Sequence, residues 1–207
     1  MSVSALVEER CLIGSFTAMA NNAVPTTPLR TLALDPGTRE MGYAVLESTD
    51  LLYFGVHTFP HHCAARRLCT EGQAFVQGLL DAYAPQLLVI EKTWYVKSTR
   101  STRLHVFVEA MEDFAQHEGL LVRTYTPRMV KKMICGRGDA TKRALAETLI
   151  RQRYDFLATY LQRDLRTRDK YWQSMFDAVA LGLTGYEDVS RTGVALPTIT
   201  QRRDNNA

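Results

Sequence analysis

Apolar and polar positions divide the chain into short strand-like runs and longer helix-like ones. Three β-prone runs come first: Thr31 to Asp35, Met41 to Glu47 and Leu52 to Phe59, separated by Pro36-Gly37 and Ser48-Thr49-Asp50. Such short, turn-forming spacers favour consecutive antiparallel strands. From about Ala64 to Tyr83, Leu68, Phe75, Val76, Leu79, Leu80 and Tyr83 recur at helical spacing, which predicts a helix covering the sheet. Leu87-Leu88-Val89-Ile90, closed by Glu91, is a continuous apolar run, the pattern of a strand buried on both faces. A second helix is expected from about Ser101 to His117, stopped by Gly119, and a fifth strand from Leu120 to Tyr125. Beyond Pro127 come a basic segment, a helix N-capped near Asp139, a polar stretch and a last helix from about Gln173 to Gly185.

This order predicts an α/β domain over residues 29–187, with a mixed five-stranded sheet flanked by helices. The first 28 residues, with Asn21-Asn22 and Pro25-Thr26-Thr27-Pro28, read as an appendage, and residues 188–207 as a tail with turn and charge signals only.

Composition narrows the class. A chain of 207 residues with 46% hydrophobic and 23% charged residues is neither disordered nor fibrous. No apolar run approaches membrane-span length, and Glu8 and Glu9 stand where a signal peptide would carry positive charge. Cys11, Cys63, Cys69 and Cys135 are too few for a disulfide framework, so a reducing, cytoplasmic location is expected. His57, His61, His62, Cys63 and Cys69 match no zinc-finger spacing and are explained by a strand end followed by a helix start; packing is the expected role for Cys135, Tyr171 and Trp172.

The net charge of +3 is too small to argue for a nucleic-acid partner by itself. Placement is more telling. Lys92, Lys97, Arg100 and Arg103 occur with Trp94 and Tyr95 and without an acid, and Arg123, Arg128, Lys131, Lys132 and Arg137 form a second run without an acid. Cations contact phosphates and aromatic faces stack on splayed bases, a combination suited to branched DNA.

Asp35 ends one apolar strand, Glu91 ends another, and Asp177 lies in a helix among Phe176, Val179 and Ala180. Carboxylates at the margin of a core are unfavourable unless they are paired or bind a cation. Two divalent ions held by all three would relieve the repulsion and supply phosphodiester chemistry. The alternative for each acid alone is a salt bridge or a cap.

Leu34-Asp35-Pro36-Gly37-Thr38 with Gly42-Tyr43-Ala44-Val45, Val89-Ile90-Glu91 with Trp94, and Phe176-Asp177-Ala178 resemble three motifs of the RuvC Holliday-junction resolvases. The set Lys131, Gly136, Gly138 and Lys142 resembles that family's basic loop leading into a helix. The resemblance runs from about Thr31 to Gly185 and implies an RNase H-like fold and a homodimer acting on four-way junctions. It implies Mg²⁺, with Mn²⁺ as substitute, held by Asp35, Glu91 and Asp177, with Lys142 near the scissile phosphate, Lys131 on the strand and Trp94 as a wedge. Ser174 stands where the family generally has Asp or His; a hydroxyl is a poor ligand for a hard dication, so its contact would be weak or through water. Asp169 is a remote substitute. A nuclease with relaxed selectivity for branched DNA and a catalytically weak junction-binding protein remain open. An actin-like phosphate-binding domain would need a second half with its own loop.

Overall fold

The computed structural model describes residues 28–61, 63–92, 99–166, 171–194 and 196, without the side chains at 99–101, 164 and 165. Trp94, Tyr95 and Lys97, the side chain of Arg100, His62, Asp169 and residues 1–27 of the expected appendage lie outside the described residues.

Five strands form one mixed sheet: β1 (Arg30–Asp35), β2 (Glu40–Glu47), β3 (Asp50–Thr58), β4 (Leu87–Glu91) and β5 (Leu121–Tyr125), in the order β3-β2-β1-β4-β5. The first three are antiparallel neighbours, whereas β1–β4 and β4–β5 are parallel. The parallel crossovers run through α1 (Ala65–Tyr83) and α2 (Thr99–His117), as parallel pairing requires a long connection. The remaining helices are α3 (Pro127–Cys135), α4 (Lys142–Gln152), α5 (Ala158–Arg166) and α6 (Gln173–Thr192). No described helix is long and apolar enough to cross a membrane.

Alternation along the strands assigns each side chain to one of two cores. Leu32 and Leu34 of β1, Met41, Tyr43 and Val45 of β2, and Leu88 and Ile90 of β4 pack with α1 and α2. Ala33, Ala44, Leu46, Leu87 and Val89 face the other way, against α3, α4 and α6. Asp35 and Glu91, each one position past the last buried residue, therefore fall on the α6 side.

Helix α6 lies unusually close to the sheet. A Cβ at Gly42 would meet the Ser174 carbonyl oxygen, one at Gly182 would lie 2.4 Å from Leu46, and one at Gly185 would lie 2.3 Å from Val89. Glycines on both partners thus let a helix backbone reach the strands, with Gly42 fixing the end that carries Asp177.

Three local expectations are corrected. The helix expected at Asp139 begins at Lys142, because the Thr141 hydroxyl is the cap, accepting from the Ala144 amide at 3.0 Å. The basic segment after Thr126 is itself helical: Thr126 accepts from the Met129 amide, and Pro127 occupies the first turn, where its missing N–H goes unneeded. Helix α6 continues past Gly185 to Thr192, held by buried Val189 and by the Tyr125 hydroxyl, which donates to Asp188 Oδ2 at 2.7 Å.

The close approach predicts opposite outcomes at two glycines. Gly42→Ala must push α6 off β2 and should destabilise the protein by about 1–3 kcal/mol. Gly78→Ala, in α1 with open space around it, should stabilise by about 0.5–1 kcal/mol. Chemical denaturation of the two variants measures both; a neutral Gly42→Ala would show that α6 is free to shift.

Candidate active site

The parallel register pairs Leu34 with Ile90, so Asp35 and Glu91 follow at the ends of adjacent strands. Adjacent strands are about 4.8 Å apart, which makes these two carboxylates close neighbours. Helix α6 brings Asp177 to the same place, with 7% of the residue exposed, and α4 presents Lys142 from its first position. The Lys142 ammonium donates to Asp177 Oδ2 at 2.5 Å, and the Gln173 amide donates to Asp177 Oδ1 at 3.3 Å.

The electrostatics show that the four charges form one group. Burial pushes the Asp35 carboxyl well above the usual range; the negative charges of Glu91 and Asp177 push it further, while Lys142 opposes them. Glu91 is raised to about 7, first by burial and then by Asp177, against Lys142 and Lys131. For Lys142 burial acts downward, but Asp177, Asp35 and Glu91 together outweigh it and raise the ammonium. Two acids that resist ionisation beside a third are in an environment that favours a proton or a cation.

Two cavities meet at Lys142. The larger, about 560 Å³, is lined by Asp35, Thr38, Arg39, His61, Gln173 and Ser174, among others. The smaller, about 60 Å³, lies between Glu91, Asp177, Lys131 and Val130. Lys142 lines both.

The structure therefore brings together Asp35, Glu91, Asp177 and Lys142, with Lys131 at the smaller cavity and Ser174 at the larger. Ser174 Oγ donates weakly to the Tyr171 carbonyl at 3.5 Å. Lys132 and Arg137 are exposed, and Arg137 lies 3.8 Å from Asp139. The aliphatic part of Arg128 packs beneath Gly138, where a Cβ would lie 2.6 Å from its Cγ. Among the described residues, the buried Arg103 Nε has no hydrogen-bond partner. The His57 ring stacks on Phe75 at 4.1 Å between centroids, and Cys63 is buried in the core on the α1 side. Cys135 packs against the core on the α6 side, its thiol 3.8 Å from the Thr148 hydroxyl. Trp172 packs on Tyr160 at 4.6 Å. Tyr171 borders the larger cavity, its hydroxyl donating to the Val56 carbonyl at 3.3 Å. Gln173 was not among the expected site residues; its spacing of four from Asp177 within a helix was the available signal.

Comparison with known proteins agrees with this geometry. The profile of the family described as Crossover junction endodeoxyribonuclease RuvC matches residues 31–157. The chain belongs to the RuvC family. RuvC of Akkermansia muciniphila is 29% identical over 161 residues, covering 75% of this chain and 89% of that one. RuvC of Roseiflexus sp. is 33% identical over 130 residues, covering 58% and 75%. Among solved structures, Thermus thermophilus RuvC superposes with a TM-score of 0.61 at 20% identity over 82% of this chain and 100% of that one. The yeast mitochondrial Holliday junction resolvase gives 0.60 at 12% identity over 82% and 83%. The fold is thus the RuvC type of RNase H-like fold. The matched stretch holds Asp35, Glu91 and Lys142 but ends before α6, so the position of Asp177 rests on the structure.

The raised Glu91 carboxyl makes a signed prediction for chelator-treated protein. Its folded value of about 7 exceeds the ordinary 4.5, so the neutral form favours folding, and that contribution fades as pH rises through about 7. The stability of wild type relative to Glu91→Gln should fall from about pH 5 to about pH 8 in denaturant titrations. A difference that does not vary with pH would mean that neither burial nor Asp177 raises the Glu91 carboxyl.

Proposed function

We propose that this RuvC-family chain is a divalent-metal-dependent endonuclease that resolves four-way DNA junctions by paired phosphodiester hydrolysis, with Asp35, Glu91, Asp177 and Lys142 as its catalytic residues. The observation that carries the proposal is the convergence of three carboxylates, two resisting ionisation, on one side of the sheet edge. The identities of the RuvC relatives and the Holliday junction bound by the T. thermophilus protein support the substrate class.

The donor set suits a hard divalent ion: all three are carboxylates, the ligands that Mg²⁺ and Mn²⁺ take. As they stand, no three acidic, histidine or cysteine side chains form a ready-made ligand set among the described residues. The fit therefore rests on donor chemistry and on the repulsion among the acids. Asp35, Glu91 and Asp177 would hold the ions, and Ser174 would reach one through water. The chemistry such ions supply is activation of a water and stabilisation of charge on the leaving 3′-oxygen.

The chain's own residues supply the rest. Gln173 holds Asp177 in orientation through Oδ1. The Lys142 ammonium carries a charge that can offset negative charge developing at a scissile phosphate. Lys131, beside Glu91 in the smaller cavity, would grip the strand next to the cut, while Arg128, Lys132, Arg137 and Arg103 would contact phosphates farther out. Trp94 and Tyr95, with Lys97 and Arg100, would engage the splayed bases and backbone at the branch point. Paired incision needs two sites and each chain contributes one such cluster, so the proposal includes a homodimer.

The test compares cleavage of a four-way junction with that of linear duplex of matched sequence, with Mg²⁺, Mn²⁺ or chelator. Symmetric nicks in the junction alone, absent in chelator, are expected. Asp35→Asn should slow them by about a hundredfold or more, since ionic stabilisation is worth several kcal/mol and each 1.4 kcal/mol is about tenfold. Equal cutting of flaps, forks and junctions would instead indicate a relaxed branched-DNA nuclease, and tight junction binding without cutting under either metal would sink the catalytic reading.

A further inference from the structure

The position of Lys142 is unusual for its element. It opens α4, directly after the Thr141 cap, and Arg143 follows it. Cations are disfavoured at the positive end of a helix and are ordinarily found at the other end. The local disadvantage is offset from outside the helix: the ammonium bonds Asp177 and lies in the field of Asp35 and Glu91. Yet the side chain is not confined. It retains 60% exposure, whereas the Asp177 side chain retains 8%, and it borders a cavity of about 560 Å³ on one side. The charged tip is held, while the stem has solvent and space in which to swing.

Asp177 is gripped at both oxygens, by unlike groups. Lys142 contributes a positive charge at Oδ2, and Gln173 a neutral amide at Oδ1. Only the first competes with a cation for the carboxylate; the second keeps the carboxylate oriented whichever cation it faces.

We infer that Lys142 is the resident counter-ion of the carboxylate cluster in metal-free protein, and that a divalent ion must displace its ammonium from Asp177, releasing it toward the larger cavity. The inference rests on the reading of Asp35, Glu91 and Asp177 as metal ligands and adds an exchange of cations at Asp177 to it. Lysine and metal are then alternatives at that oxygen, and the same movement that admits the ion leaves the ammonium free to meet a phosphate.

The test measures metal binding by DNA-free protein, with Mn²⁺ and Mg²⁺ titrated calorimetrically at one pH into wild type, Lys142→Met, Lys142→Arg, Gln173→Ala and Asp35→Asn. Removing a charge-assisted bond that competes with the ion should tighten the Kd of Lys142→Met by about tenfold or more. Lys142→Arg, which keeps a cation, should stay at the wild-type value or weaker, and Gln173→Ala should weaken binding. In wild type, acylation of the Lys142 amine by a limiting reagent, read by mass spectrometry, should speed several-fold on saturation with Mg²⁺; this readout needs no variant to fold. Metal binding by wild type that is unchanged or weaker in Lys142→Met, or acylation indifferent to metal, overturns the exchange alone. No uptake by wild type, or full uptake by Asp35→Asn, overturns the metal reading and the exchange with it.

Discussion

Repulsion among three carboxylates at the margin of a packed core is the constraint around which this molecule is arranged. Ionised acids in water repel weakly at a few ångströms; the same acids set against a sheet edge repel strongly, because little solvent screens them. Burial and mutual repulsion act in the same direction on Asp35 and Glu91, and only a cation or a proton relieves both. Such an arrangement would be selected against in a purely structural domain. It persists where the unrelieved charge is used, as it is when a site must take up a doubly charged ion.

The rest of the fold keeps those charges from moving apart. Asp35 and Glu91 cannot separate without breaking the β1–β4 ladder, and Asp177 cannot withdraw without α6 leaving the seat formed by Gly42, Ala33 and Val89. Lys142 is delivered by a capped helix, its backbone fixed by the bond that the Ala144 amide donates to Thr141. Rigid elements therefore carry the carboxylates, while the lysine that meets Asp177 has a largely exposed side chain. That division suits a centre in which ligands must stay in place while a counter-ion moves.

The parts legible in the sequence were those with short-range causes. Asp35 and Glu91 stood out because each closes an apolar run, and strand alternation then assigns both to one face. Asp177 stood out through its apolar neighbours, and the antiparallel pairing of the first three strands followed from their short spacers. What escaped has long-range or competing causes. Asp139 and Thr141 are both acceptable caps by composition, and the chain's path from Gly136 decides for Thr141. The last turns of α6 depend on Val189 finding the core and Asp188 finding Tyr125, 63 residues away. Helix α5 was hidden in a polar stretch, since Tyr160 and Leu161 are its main core-facing residues. The Lys142–Asp177 bond joins residues 35 apart, and no local pattern marks it.

Ser174 stands where the resemblance to the RuvC motifs implies an Asp or His, and its neighbourhood shows what takes the place of such a group. Compared with an Asp at that position, a serine lowers the negative charge of the cluster by one, which would weaken the hold on a second ion but also lessen the repulsion that Lys142 must offset. Gln173, one position earlier, adds a donor to Asp177 without adding charge. Gln173 thus orients Asp177 through a neutral group and adds no charge to the site. A cluster of three acids and one lysine carries a net charge of about −2 when all four groups are ionised. With the lysine displaced toward the larger cavity, as the proposed exchange requires, the three acids carry about −3, so one divalent ion would leave about −1 and a second would be favoured. The position of a single ammonium would therefore help to set how many ions the centre holds.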